Sequence, residues 1–262
     1  MSKKEEEEIN LPTKIIKSSI KSPKNLIIIS KPKVGKTSLL ATLEDCLLLD
    51  FEEGSDYVDA LKIKIDSVKK LKLVGKKIQD AGNPYKIIAV DTVTALETMC
   101  LNFAEDIYAD TPMGKNWFLR TEDGKLSKKS GKAQYKQIIG LPNGGGYLFL
   151  RQAFTKVIDY IHTLAPLIIL SGHVKDILLE KDGVEISSNE IDLTGKLKRM
   201  TTSASDAIGY LYRKGEQNIL SFKTTDEVAC GARPEHLRNK EIVISEIIDE
   251  KYITYWDKIY ID

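Results

Sequence analysis

The sequence predicts an α/β fold in which a mostly parallel central sheet carries helices on both faces. Two observations support this prediction: short, almost wholly apolar segments of strand length recur along the chain, and segments with helical spacing of apolar residues lie between them. Strands buried on both faces are continuously apolar, and their alternation with helices is typical of parallel order. The apolar segments are 25–29, 46–49, 87–90 and 167–170.

The helical segments lie between these strands. Residues 36–44 carry leucines at helical spacing, and residues 67–80 combine an apolar stripe with several lysines. A further helix follows the glycines at 144–146 and ends before Pro166. We therefore expect the carboxyl ends of the strands, where α/β proteins bind ligands, to share one edge of the sheet.

Beyond residue 205 the pattern changes from crossovers to paired strands. Residues 208–213 and 218–222 read as two strands joined by the short turn 214–216, and 252–261 suggests one more strand. The sequence therefore predicts antiparallel strands at the C-terminal end of the sheet.

Composition and length fit one globular domain. The chain has 262 residues, of which 42% are hydrophobic and 29% charged. We expect a polar tail at 1–23 and a domain at 24–262 with a basic insertion at about 108–146. The longest apolar run, 164–170, is much shorter than the ~20 residues that span a bilayer, so no membrane association is expected. The polar N-terminus and three widely spaced cysteines favour a cytoplasmic protein.

A phosphate-binding loop is predicted between the first strand and the first helix. Residues 30–37 match the pattern G-x-x-x-x-G-K-[ST] except at the first position, where Ser30 replaces glycine. In such loops backbone N–H groups face a triphosphate, the lysine (Lys36) neutralises its β and γ phosphates, and the hydroxyl (Thr37) ligates Mg²⁺. A lysine-rich surface turn is the alternative. The candidate ATP-binding residues are Ser30, Lys31, Pro32, Lys33, Val34, Gly35, Lys36, Thr37 and Ser38.

Acidic residues follow the second and third strands at the same predicted edge. Asp91 suits a Walker B carboxylate that holds the magnesium ion, and Glu52 or Glu53 can orient the attacking water, with Glu52 preferred. The alternative is that these acids cap the segments that follow them. The predicted cofactors are ATP and Mg²⁺.

Taken in order, the segments SKPKVGKTSLL, LLLDFEEGS, IIAVDTVTAL and LIILSGHVKD resemble the RecA-like P-loop ATPases. Within that class they are similar to small phage ATP-binding proteins related to RecA-type single-strand annealing and recombination factors. The resemblance covers about residues 24–240. It implies that Glu52 is the catalytic glutamate, that Asp91 with Thr92 forms Walker B, and that His173 senses the γ phosphate.

The resemblance also implies that Arg233 can reach the nucleotide of a neighbouring subunit in a homo-oligomer, and that a phage-encoded protein would act in the host cytoplasm. For His173 and Arg233, a local hydrogen bond and a surface ion pair are the alternatives. Two departures stand out. Ser30 lacks the conformational freedom of glycine, which predicts a tighter turn or a weaker nucleotide site. Lys31 stands where the ParA/MinD group has its signature lysine, although the glycine pair of that group is absent.

A basic stretch predicts binding to single-stranded DNA. Between residues 111 and 140 seven basic and two acidic side chains give 7 − 2 = +5, whereas the whole chain carries +1. Aromatic residues interleaved with lysines are typical of loops that track phosphates and stack bases, and a solvated insertion is the alternative. The candidate DNA contacts are Lys115, Trp117, Arg120, Lys128, Lys129 and Lys132.

These features together predict a Mg-dependent ATPase that couples ATP binding and hydrolysis to single-stranded DNA binding in phage-type recombination or replication. Recombination or replication proteins are the expected protein partners. A nucleotide-gated DNA-binding or loading module with negligible turnover is the alternative, and a structural accessory that retains only the fold is a third hypothesis.

Overall fold

The computed structural model describes residues 11, 13–116, 138–181, 184–225 and 227–261. Its strands form one large sheet with a parallel centre, in the order β11-β10-β8-β7-β1-β5-β4-β2-β3. The strands are β1 Asn25–Ser30, β2 Cys46–Asp50, β3 Lys62–Lys64, β4 Ile87–Asp91, β5 Leu167–Lys181, β6 Val184–Ile191, β7 Ala207–Lys214, β8 Gln217–Ser221, β9 Gly231–Ala232, β10 Glu241–Ile248 and β11 Lys251–Thr254.

The predicted division between parallel and antiparallel strands is confirmed. All neighbouring pairs from β7 through β1, β5, β4 and β2 to β3 are parallel. On the other side of β7 the neighbouring pairs β7–β8, β8–β10 and β10–β11 are antiparallel. The outer part of β5 leaves the sheet and pairs with β6 as an antiparallel hairpin, and β9 adds to β7.

The helices are α1 Lys36–Leu40, α2 Val68–Asp80, α3 Val93–Ala109, α4 Gly145–His162 and α5 Lys196–Ala204. Helices lie on both faces of the sheet because alternate strand residues face two separate cores. Ile27 and Ile29 of β1 pack with α2, α3 and α4, whereas Leu26 and Ile28 pack with α1 and with Trp256, which follows the last strand. Within the described helices none is both long and apolar enough to cross a membrane.

Several boundaries differ from the sequence-based prediction. Helix α1 ends at Leu40 instead of residue 44, because the Thr42 hydroxyl donates to the carbonyl of Leu39 and the chain continues in tight turns. The last predicted strand, 252–261, is a strand only over Lys251–Thr254 and then forms a 3₁₀ turn over Trp256–Lys258. All three cysteines are buried, and burial raises the pKa of Cys46 and of Cys100 to about 12, which fits packing thiols.

Candidate nucleotide-binding site

The sheet register brings the predicted site residues to one edge. Ser30 at the end of β1 lies opposite His173 in β5, and Asp50 at the end of β2 lies opposite Asp91 in β4. Strands β4 and β5 are neighbours, so the four chain segments that follow these strand positions surround one region. This is the edge at which parallel α/β sheets bind ligands.

The loop that follows β1 tolerates Ser30 without strain. Ser30 is fully buried in extended β-conformation, and the left-handed positions are Lys33, with φ 64°, and Gly35, with φ 112°. The backbone at Ser30 therefore needs no positive φ, and a weaker nucleotide site stays a prediction. The Ser30 hydroxyl donates to the carbonyl of Lys31 at 2.8 Å and accepts from the Lys36 ammonium at 2.9 Å.

The rest of the loop surrounds the buried Lys36 ammonium. Lys31, Pro32 and Lys33 are exposed at the tip, and Val34 and Gly35 are half-buried. The first N–H groups of a helix have no partners within it, so those of Lys36, Thr37 and Ser38 can face a bound anion.

Lys36 is the cation of the site. It is only 6% exposed, and its Nζ lies 2.9 Å from Ser30 Oγ and 3.4 Å from Nδ1 of His173. Burial lowers the pKa of Lys36 from its ordinary value, while the carboxylates of Asp91 and Glu52 act in the opposite direction. An anion that entered beside this ammonium would further stabilise its charged form.

Thr37 and Asp91 form the pair expected for a magnesium ion. The Thr37 hydroxyl donates to Asp91 Oδ2 at 2.6 Å, and the Ser171 hydroxyl donates to Asp91 Oδ1 at 2.5 Å. Asp91 is 2% exposed, and burial raises its pKa although both hydrogen bonds oppose the shift. A hydroxyl beside a carboxylate suits Mg²⁺, a hard cation that keeps several water or phosphate oxygens among its ligands.

That incomplete ligand set fits the chemistry of a nucleotide site. Among the described residues no group of three or more His, Cys, Asp and Glu side chains could hold a metal ion alone. A cation between Thr37 and Asp91 would therefore need phosphate oxygens and water to complete its shell.

Glu52 is held at the edge of this pocket by two donors. Its Oε1 accepts from the Thr92 hydroxyl at 2.5 Å and from Nε2 of His173 at 2.9 Å. Because the Lys36 ammonium can only donate, His173 Nδ1 must accept from it, and the proton of the neutral ring lies on Nε2. The His173 ring thus lies between the Lys36 ammonium and the Glu52 carboxylate. The backbone N–H of His173 donates to the Thr94 hydroxyl at 3.3 Å.

Asp50 builds the turn that carries Glu52. Its Oδ1 accepts from the Glu52 N–H at 3.0 Å, and its Oδ2 accepts from the N–H and the hydroxyl of Ser55 at 3.1 and 2.5 Å. Burial acts to raise the pKa of Asp50, but these hydrogen bonds outweigh it and hold that pKa below its ordinary value. Asp50 therefore serves as a structural anchor for the neighbouring acid.

The remaining predicted residues do not join this site. Arg233 follows β9, at the edge of the sheet where β1 begins and opposite to the edge with the nucleotide site. The pairing shows this, because Ala232 of β9 lies opposite Ala207 of β7, and Ala207 lies opposite Leu26 of β1. The Arg233 guanidinium contacts Asp206 at 3.2 Å, as the surface ion-pair alternative expects. Lys115 is exposed in the turn after α3. Trp117, Arg120, Lys128, Lys129 and Lys132 lie outside the described residues.

Sequence reasoning missed two hydroxyl groups of the site. The Ser171 hydroxyl donates to Asp91, and the Thr94 hydroxyl accepts from the backbone N–H of His173. Each comes within a few residues of the end of a continuous apolar run, a position that could have drawn attention. It also missed a cavity of about 450 Å³ beside Gly35, which β7, β8 and β11 help to form. That cavity is lined by Gly35, Ser38, Ala41, Thr42, Tyr57, Val58, Asp59, Arg213, Asn218, Ile247 and Tyr252.

The fold and this site support assignment of the chain as a P-loop ATPase. Residues 22–112, which include Lys36, Glu52 and Asp91, match the family model described as an AAA domain. A search of the curated proteins finds no match. Among solved structures, the chain is similar to a KaiC-like protein from the hyperthermophilic archaeon Pyrococcus horikoshii, with 10% sequence identity and a TM-score of 0.44. That alignment covers 88% of this chain and 89% of the archaeal one.

Proposed function

We propose that this chain is a Mg-dependent ATPase whose ATP binding and hydrolysis control its binding to single-stranded DNA in recombination or replication. The observation that carries the proposal is the meeting of a buried ammonium, a hydroxyl and two carboxylates, from Lys36, Thr37, Asp91 and Glu52, beside one loop.

The loop residues would bind and orient the triphosphate. Lys36 would exchange its contacts with Ser30 and His173 for phosphate oxygens, and the first N–H groups of α1 would face the same oxygens. Thr37 and Asp91 would hold Mg²⁺, which neutralises charge on the β and γ phosphates when bound. The cavity beside Gly35 offers space for the nucleoside.

Glu52 would then orient the attacking water. Phosphoryl transfer needs a positioned nucleophile more than a strong base, and a carboxylate on a hydrogen-bonded turn can supply that position. Glu52 Oε1 already accepts from Thr92 and His173, so its second oxygen is the one available to a water molecule. His173 would connect phosphate binding to Glu52. A phosphate that binds Lys36 would take away the ammonium that donates to His173 Nδ1, while Nε2 of the same ring contacts Glu52.

The DNA partner and the assembly rest on charge and resemblance. The stretch 111–140 carries +5 in a chain of net charge +1, and it interleaves aromatic residues with lysines. Arg233 at the opposite edge would need to face a neighbouring subunit to contact a nucleotide, which would require a homo-oligomer.

A second candidate is a nucleotide-gated DNA-binding module with negligible turnover. The observation that favours it is that both Thr92 and His173 donate to Glu52 Oε1, which leaves this oxygen without capacity to accept from an attacking water. Steady-state phosphate release with and without single-stranded DNA separates the two candidates. Turnover indistinguishable from buffer under both conditions, with ATP still bound, would favour the module.

The phosphate loop is tested by Lys36→Met, which keeps the buried aliphatic stem and removes the charge. Loss of a charge-assisted contact of about 1.5–3 kcal/mol should weaken Mg-ATP binding roughly tenfold to a hundredfold in isothermal titration. Lys76→Met is the matched control, because Lys76 is an exposed lysine of α2, outside the phosphate loop, and this variant should bind as the parent does. Parental affinity in Lys36→Met, with circular dichroism unchanged, would refute the assignment.

A further inference from the structure

A line of basic side chains lies at the edge of the sheet opposite the nucleotide site. Residues 13–24 contain no helix or strand and no acidic residue, and four residues of this segment line a cavity at that edge: Ser18, Ile20, Lys21 and Ser22. Its exposed lysines recur at intervals of three or four residues: Lys14, Lys17, Lys21 and Lys24.

This segment is fixed against the C-terminal part of the chain. Ser22 exchanges two hydrogen bonds with Ile261, each 2.8 Å long, and the backbone N–H of Lys24 donates to Asp206 at 3.0 Å. Between the segment and the turn 233–240 lies a cavity of about 760 Å³. Its basic lining residues are Lys21, Arg233, Arg238 and Lys240.

The charge of this surface differs sharply from that of the whole chain. The segment and the cavity lining together carry seven basic side chains and two acidic ones, Asp206 and Glu235, so their balance is 7 − 2 = +5 against +1 for the chain. Asp206 and Arg233 form an ion pair with each other, so the balance of +5 comes from the other side chains.

We propose that this amino-edge surface, residues 14–24 with Arg238 and Lys240, binds the phosphodiester backbone of single-stranded nucleic acid. The four lysines of the segment are spaced along a stretch without helix or strand, so they fit a row of spaced anions better than one small anion. The described lining of the cavity contains no Phe, Tyr or Trp for base stacking, which makes the contact one with phosphates and independent of sequence. The inference rests on the proposed function, which includes a nucleic-acid partner. It adds a second contact surface to the basic stretch 111–140.

The test compares two triple variants that lose the same charge. Lys14→Gln, Lys17→Gln and Lys24→Gln together remove three cations of the surface. Lys69→Gln, Lys76→Gln and Lys77→Gln remove three exposed lysines of α2. Binding of a labelled thymidine oligonucleotide is followed by fluorescence anisotropy at several salt concentrations.

The surface triple should bind more weakly and lose salt dependence. Each phosphate contact on a single strand contributes about −0.7 to the slope of log K against log salt, so loss of three contacts should make the slope shallower by about 2. The α2 triple should keep the parental slope. Arg238→Gln with Lys240→Gln should weaken binding in the same direction, which checks the cavity separately from the segment.

Three results would overturn the inference. Equal salt-dependence slopes for both triple variants would show that the amino-edge surface does not bind the oligonucleotide, although the protein could still bind DNA elsewhere. Displacement of the oligonucleotide by polyglutamate at equal charge concentration would indicate an acidic protein partner. No oligonucleotide binding by the parent at low salt would remove both the inference and the DNA partner, whereas Mg-ATP titration of the same proteins would still test the ATPase.

Discussion

At the scale of single residues, the phosphate loop departs from the usual pattern at its first position, where a serine replaces glycine. Ser30 occupies the position of the first glycine, yet its extended backbone needs no positive φ and its hydroxyl accepts from Lys36. The sequence could predict the lysine, the threonine and the acids of the loop and strand ends. It could not predict the Lys36–His173–Glu52 connection, because that depends on the pairing of β1 with β5 across more than a hundred residues.

Glu52→Gln tests the proposed base. The amide oxygen can still accept from Thr92 and His173, so the fold and the Mg-ATP affinity should stay close to parental. Loss of general-base assistance should lower steady-state phosphate release by roughly 10²- to 10⁴-fold. Glu53→Gln is the matched control, since it makes the same change at the exposed neighbour and should retain turnover. The reverse result would assign the base to Glu53.

At the scale of elements, predictability follows burial. Strands β1, β2 and β4 are buried along their length, so continuous apolar runs predicted them. Strand β3, a three-residue edge strand with two lysines, gave no such signal. Strand β6 is a polar strand that pairs with the part of β5 that leaves the sheet. Asp50 is the acid that ends β2, and its role as an anchor appears only once Ser55 folds back onto it.

Asp50→Asn tests whether the Asp50 carboxylate stabilises the turn that carries Glu52. The amide cannot satisfy all three donors, so the free energy of unfolding in urea should fall by about 1–3 kcal/mol at neutral pH. Because hydrogen bonds hold the pKa of Asp50 below its ordinary value, its stabilisation is present above the ordinary carboxyl range and is lost as pH falls through the folded pKa. The difference from the parent should therefore narrow in acid.

The turn prediction has a matched control and a kinetic readout. Asp56→Asn changes an acid of the same turn whose ion pair with Lys64 is largely exposed, so it should cost less than about 1 kcal/mol. Phosphate release should fall more than Mg-ATP affinity in Asp50→Asn, because the turn carries Glu52 and not the phosphate loop. Equal losses of stability in both variants would show that Asp50 does not anchor the turn.

At the scale of the whole molecule, one strand connects the two proposed binding surfaces. Strand β1 begins beside Lys24 and Asp206 and ends at Ser30, so the amino-edge surface and the nucleotide site are separated by about 17 Å of buried strand. Its neighbours β5 and β7 run parallel to it and reach the same two edges. If ATP controls DNA binding as proposed, the coupling would have to pass through this sheet, which reaches both surfaces.

Coupling of this kind must be reciprocal. If Mg-ATP changes the affinity for a thymidine oligonucleotide by some factor, the oligonucleotide must change the affinity for Mg-ATP by the same factor. Typical couplings of about 1–3 kcal/mol predict a factor of roughly 5 to 150, measurable by anisotropy in one direction and by titration calorimetry in the other, with Glu52→Gln used to prevent turnover. Lys36→Met should abolish the effect of ATP while leaving binding of the oligonucleotide itself intact, because the basic surface lies at the other edge. Two affinities that are each independent of the other ligand would mean that the sheet holds two separate sites, and ATP would then not control the DNA.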